Sequence, residues 1–193
     1  GGGINNKSTA RSSLVLGGEG NTASANYGTV LGGVNNTASG VSSIVGGQNN
    51  VASGQGSVAL GRDCTTPAQY STAVGRGATT SLPGQVSQSH EVISQNGDAQ
   101  FGRVIARAVT TDETPTQMRL NAIMSQGISV PRYSTWAFSI LIAARRADVT
   151  GESAAFKVEG CVDVQNVLST VALVGAPTVT VLGRGREAWG VSV

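Results

Sequence analysis

The strongest constraint on this chain is that its first ninety residues repeat. Gly32-Gly33-Val34-Asn35-Asn36-Thr37-Ala38-Ser39-Gly40 returns as Gly46-Gly47-Gln48-Asn49-Asn50-Val51-Ala52-Ser53-Gly54. Degenerate copies start at Gly2 and Gly17, and later ones at Gly61 and Gly75, with steps of 15, 15, 14, 15 and 14 residues. A fixed short period means one supersecondary unit stacked on itself, since no single unit can bury its apolar face alone. A stacked β-coil follows, elongated rather than pocketed.

Each unit reads as two strands and two turns. A short strand precedes each glycine, with Ser or Gly four residues before it and Val15, Val30, Ile44, Ala59 or Ala73 two before it. That period of two sets a small and an apolar residue on one face. Gly17, Gly32, Gly33, Gly46 and Gly47 are read as the corners, where a side chain would hinder positive φ or close backbone approach. Asn35-Asn36 and Asn49-Asn50 follow, since asparagine tolerates the left-handed conformation and bonds its own backbone. Ala23, Ala38 and Ala52 then suit a cramped second strand. Flexible linkers also use Gly, Ser and Ala, but they have no need of apolar positions returning in register. The interior of one such coil is thin, so neighbouring copies of the chain are expected to supply the missing core by rotational symmetry.

The Ser-x-(Ala/Val/Ile)-x-Gly strand and the Asn-x-Ala-Ser-Gly turn resemble the head repeats of trimeric autotransporter adhesins and of trimeric phage tail fibres. The resemblance covers about residues 1–89. It implies a left-handed parallel β-roll, with three rolls side by side around one axis. Gly20 in place of the first Asn, Ala25 in place of the closing Gly, and Pro67 and Pro83 in the last two copies depart from the pattern. The two prolines suggest that the roll is ending there.

Composition changes after His90. Residues 91–193 hold nine of the eleven acidic and nine of the thirteen basic residues, both Trp and all three Phe. Trp136-Phe138-Ile140-Ile142-Ala144 and Phe156-Val158-Gly160-Val162-Val164 alternate as strands, and Val179, Val181, Trp189, Val191 and Val193 continue the pattern. Turn signals between them predict an antiparallel sandwich or jelly roll. The expected organisation is a β-roll over 1–89, a neck over 90–102 and a sandwich-like domain over 103–193. The second half resembles the terminal domains of phage tail fibres. Such domains usually run some strands further, so the chain is read as a piece of a longer polypeptide.

A formal net charge of +2 and 12% charged residues provide no basic stripe for nucleic acid, and 4% aromatics leave little for base stacking. The sequence holds no signal peptide and no apolar run long enough for a membrane anchor. Cys64 and Cys161 fall in different halves and form no metal or redox motif, so both are expected to be reduced. Catalytic chemistry is sparse. The repeat carries only Glu19 and Asp63, whereas glycoside cleavage needs two neighbouring carboxylates. Asp112, Glu113, Asp148, Glu152 and Asp163 read as loop and strand charges, and Gly183-Arg184-Gly185-Arg186 is a weak phosphate signal. His90 sits where the roll hands over to the second half. Three copies converging on an axis would make it a metal site; the plainer reading is a hydrogen-bonded or exposed neck histidine.

These readings lead to a homotrimeric phage tail fibre component with no enzymatic activity and no cofactor beyond the axial ion at His90. Its expected place is the virion tail, beside other tail proteins, bound to a host-surface glycan or protein. The alternatives are the head of a bacterial trimeric adhesin at the cell surface and a glycan-cleaving tailspike. Binding residues concentrate on loops over a rigid scaffold. That places them on 111–117, 130–135 and 145–151, with Asp112, Glu113, Arg132, Tyr133, Arg145, Arg146 and Asp148 as candidates.

Overall fold

A computed structural model describes residues 2–110, 116–120, 134–146, 152–164 and 171–184. The described residues are all-β and contain no helix. The chain divides into two compact units, Gly1–Ile128 and Ser129–Val193.

The first unit is a parallel β-solenoid of about six turns. Its strands in chain order are β1 (Lys7–Ser8), β2 (Leu14–Val15), β3 (Thr22–Ala23), β4 (Thr29–Val34), β5 (Thr37–Ala38), β6 (Ile44–Gln48), β7 (Val51–Ala52), β8 (Val58–Arg62), β9 (Thr65–Thr66), β10 (Thr72–Arg76), β11 (Val86–Ser89) and β12 (Gln100–Arg103). Through β10 they alternate between two sheets, and β11 and β12 then both join the wider one. The wider runs β12-β11-β10-β8-β6-β4-β2 and the narrower β1-β3-β5-β7-β9. Each repeat strand therefore pairs in parallel with its own equivalent one coil later, which is why the period had to be nearly constant.

The true register corrects the sequence reading at the corners. The equivalent glycines are Gly3, Gly18, Gly33, Gly47, Gly61 and Gly75, all at φ between 94° and 129°. Their steps are 15, 15, 14, 14 and 14 residues. Gly47 pairs with Gly61 and Gly61 with Gly75, so Gly46 is equivalent to Leu60, not to Gly61. The longer coils carry one extra residue just before the corner, at Gly17 and Gly32, where the register between β4 and β6 shifts. The same correction moves the third coil's interior by one residue. Ser43 and Val45 are buried there, whereas Ile44 faces outward.

The interior consists of stacked columns. Val15, Val30, Val45, Ala59 and Ala73 form one, and Ala23, Ala38 and Ala52 form another that Thr66 and Thr80 continue. A third runs Asn21, Asn36, Asn50 and Cys64, three residues after each corner glycine, all fully buried. Buried amides are costly unless bonded, and here they are. Asn36 Nδ2 donates to Gly47 O at 2.7 Å and to Gly32 O at 3.1 Å, and Asn36 Oδ1 accepts from the backbone N–H of Asn50 at 3.0 Å. Asn50 repeats the pattern toward Gly61 O, Gly46 O and the N–H of Cys64. Each ladder asparagine thus ties the corner of its own coil to the next. The first residue of each Asn pair has the other role: Asn35 and Asn49 are left-handed at φ 55° and 56°, as are Gly20, Asp63 and Gly77 in the same position. Gly20 in place of Asn therefore preserves the turn.

Polar side chains finish the roll. Thr66 Oγ1 donates to Ser57 Oγ at 3.1 Å, and Ser71 and Thr80 bond at 2.7 Å, so hydroxyl pairs replace methyl contacts across the interior. Ser43 lies nine residues before Ala52, which offers no hydroxyl, and the Ser43 Oγ has no partner. At the last coil Gln85 Oε1 accepts from the N–H groups of Ser81 and Leu82, and Gln100 Oε1 accepts from that of Thr79. Leu82 plugs the apolar column, and β12 closes the wider sheet as an antiparallel edge strand.

The second unit is a four-stranded antiparallel sheet built on β14 (Ser153–Val164), which pairs with β13 (Ser134–Arg145), β15 (Val171–Leu173) and β16 (Thr178–Arg184). The predicted alternation holds across it. Trp136 pairs with Val162, Phe138 with Gly160, Ile140 with Val158 and Ile142 with Phe156. The Phe138 ring covers Gly160, where a Cβ would lie 2.7 Å from its Cζ. Phe156 and Val158 are buried. Trp189, Val191 and Val193 lie outside the described residues.

Candidate functional site

Of the loop residues proposed from sequence, Asp112, Glu113, Arg132, Tyr133 and Asp148 lie outside the described residues. Arg145 ends β13 and is exposed, beside a shallow hollow of about 510 Å³ that Ala143, Ser153, Ala155 and Leu182 also line. Arg146 turns the other way and pairs with Glu152 at 3.2 Å, with the backbones of the same two residues bonded at 3.1 Å. The two arginines are therefore split between a sheet edge and a turn.

Five further acids among the described residues are engaged in local structure. Asp163 accepts from Thr135 Oγ1 at 2.7 Å, Glu159 pairs with Lys157 at 2.9 Å, and Asp63 pairs with Arg62 at 3.2 Å. Asp98 organises the turn before β12. The N–H of Gln95 holds its carboxyl below the ordinary range, with those of Ser94 and Ile93 adding to the effect. Glu91 is lowered first by the N–H of Val92 and then by the Arg76 guanidinium, to which it is bonded. His90 precedes it and is exposed. Among the described residues no three His, Cys, Asp or Glu side chains group as a metal site. Cys64 and Cys161 are unpaired thiols, and burial raises the pKa of Cys64. Cys64 takes the asparagine's place in the internal ladder, with its Sγ 3.2 Å from Gly75 O.

The broadest candidate surface is on the roll, and the sequence reading missed it. The outer face of the wider sheet carries two parallel columns. Leu14, Thr29, Ile44, Val58, Thr72 and Val86 form one by direct register. Leu16, Leu31, Leu60 and Val74 form the other, and the Leu31 and Leu60 side chains close over Gly46, where a Cβ would meet them at 3.2 and 3.5 Å. Leu14, Leu16 and Leu31 are 45%, 54% and 48% exposed. A contiguous apolar ribbon of this kind marks an interaction surface. In four coils an aliphatic residue lies one or two positions before the corner glycine, but it separates from the buried column only once the coils are placed in register.

No protein-family model matches this sequence, and no curated protein matches it significantly. The functional reading therefore rests on the chain itself.

Proposed function

We propose that the chain is a non-enzymatic, receptor-binding component of a trimeric fibre on a phage tail, which attaches the virion to its host. The observation that carries this reading is the apolar ribbon on the outside of a stiff, thin roll. Each half-exposed leucine buried in a shared core would add about 1 kcal/mol. Three rolls packed ribbon to ribbon around one axis would satisfy all three chains at once. The coil would then be left-handed, as the resemblance of its repeats implies, and the second unit would be a sandwich-like terminal domain. The roll is the rigid spacer. Loops of the second unit and exposed corners of the roll meet a host-surface glycan or protein, and other tail proteins hold the fibre. His90 would face its two copies near the axis, where an ion is the proposed occupant.

Attachment without turnover has a distinct signature. Purified protein should bind host cells or envelope extract and leave the saccharides at full length. Three weak sites on one rigid body raise avidity by up to ~10²–10⁴ over a single site, so an engineered single-chain form should bind far more weakly. Shortened saccharides accumulating with time would instead make the chain a glycan-cleaving tailspike.

A further inference from the structure

The corner opposite the glycines has a second left-handed position in every coil. It is occupied by Ser12, Tyr27, Ser42, Gly56, Tyr70 and Gly84. Glycine adopts this conformation freely, but it is a genuine outlier for a bulky side chain. Two of the chain's three tyrosines nevertheless sit there, at φ 59° and 54°. Both rings face solvent, 51% and 63% exposed. Strain held at an exposed aromatic is a pointer to function.

The surroundings suit one chemistry. Tyr27 and Tyr70 are three coils apart on one edge, about 14 Å at ~4.8 Å per coil. The row beside them runs Arg11, Asn26, Val41, Gln55 and Gln69, the residues whose carbonyls accept from the tyrosine row. Among the described residues, the side-chain amides of Gln55 and Gln69 make no bond within the chain. The Tyr70 ring lies across Gly56, where a Cβ would be 2.9 Å from its Cδ1. Next to it is a hollow of about 280 Å³ formed with Pro83, Gly84, Ile105 and Leu120. Flat aromatic faces accept the C–H face of a pyranose ring, and planar amides and phenol hydroxyls bond its hydroxyls. Among the described residues, no charged side chain lines the hollow.

We infer that this edge is a saccharide site that takes an uncharged glycan chain running along the roll, with one sugar ring on Tyr70 and another on Tyr27. The inference deepens the attachment reading and rests on it. It separates this edge from the leucine ribbon, which is aliphatic and suits a protein partner.

The test uses the full chain and immobilised bacterial envelope polysaccharides, neutral ones with an acidic capsule for comparison, alongside whole host cells. Asparagine is at ease in the left-handed region, so Tyr70→Asn and Tyr27→Asn should keep or raise thermal stability. Each should weaken binding to neutral polysaccharide about tenfold, and Tyr70→Phe should retain most of it. Unchanged binding in the Asn variants overturns the saccharide site while attachment stands. So does binding of wild-type protein to cells but to no neutral polysaccharide. A changed sedimentation coefficient in either Asn variant would reassign the edge to a contact between chains and overturn the site. Failure of wild-type protein to bind host cells at all would remove both readings.

Discussion

Gly47→Val should prevent the roll from forming a stable structure. A Cβ at Gly47 would lie 1.9 Å from the carbonyl oxygen of Gly61, far inside contact distance, and the obstacle is backbone that cannot swing away. The residue is also at φ 113°, where an L side chain costs of order 1–3 kcal/mol before any clash. Relieving the clash means separating β6 from β8, which breaks the ladder on both sides. Against a total stability of about 5–15 kcal/mol, that is disabling. Gly17→Val provides the contrast. Gly17 is the extra residue of a longer coil, its φ is not positive, and a Cβ there would sit at an ordinary 3.4 Å from Gly2 O. Thermal unfolding of both variants checks the assignment: Gly47→Val should lose the cooperative transition, and Gly17→Val should melt within a few degrees of wild type. Equal effects would mean that the corner has been misplaced.

Asn50→Leu should be nearly as damaging, although it preserves the side chain's branching and heavy-atom count. Asn50 is fully buried. Its Nδ2 donates to Gly46 O at 2.9 Å and Gly61 O at 2.7 Å, and its Oδ1 accepts from the Cys64 N–H at 2.9 Å. Leucine strips these partners from three backbone groups, two of them in fully buried bonds and the third in a part-buried one. Each buried group left without a partner costs about 1–3 kcal/mol, so the total is several kcal/mol. The gain from one more apolar side chain is smaller than that. Chemical denaturation should show a markedly lower midpoint. A midpoint equal to wild type would show that the ladder amides contribute nothing net.

The roll was legible in the sequence because stacking repeats every constraint at a fixed interval. Small residues, left-handed Asn and the buried valines all return together, and the second sheet's alternation was equally readable from Trp136 to Ala144 and from Phe156 to Val164. The register at Gly46 was not legible. A Gly-Gly pair looks the same whether its first glycine is a bulge residue, as at Gly32, or the residue over which Leu31 and Leu60 close. Only the strand pairing separates them. The split of labour within each Asn pair was hidden for the same reason, since direction of the side chain depends on φ. Candidate binding positions were the least legible. The loop candidates rest only on the tendency of binding residues to concentrate on loops over a rigid scaffold, whereas the leucine ribbon and the tyrosine edge emerge only when six coils are placed in register.

Sedimentation equilibrium of the purified chain at micromolar concentration tests the central claim most directly, because the proposed trimer is what would cover the exposed leucine ribbon. A single species of three chain masses is expected, and Leu31→Asp should shift it toward one chain mass. A stable, folded particle of one chain mass in the wild type would contradict the trimeric fibre.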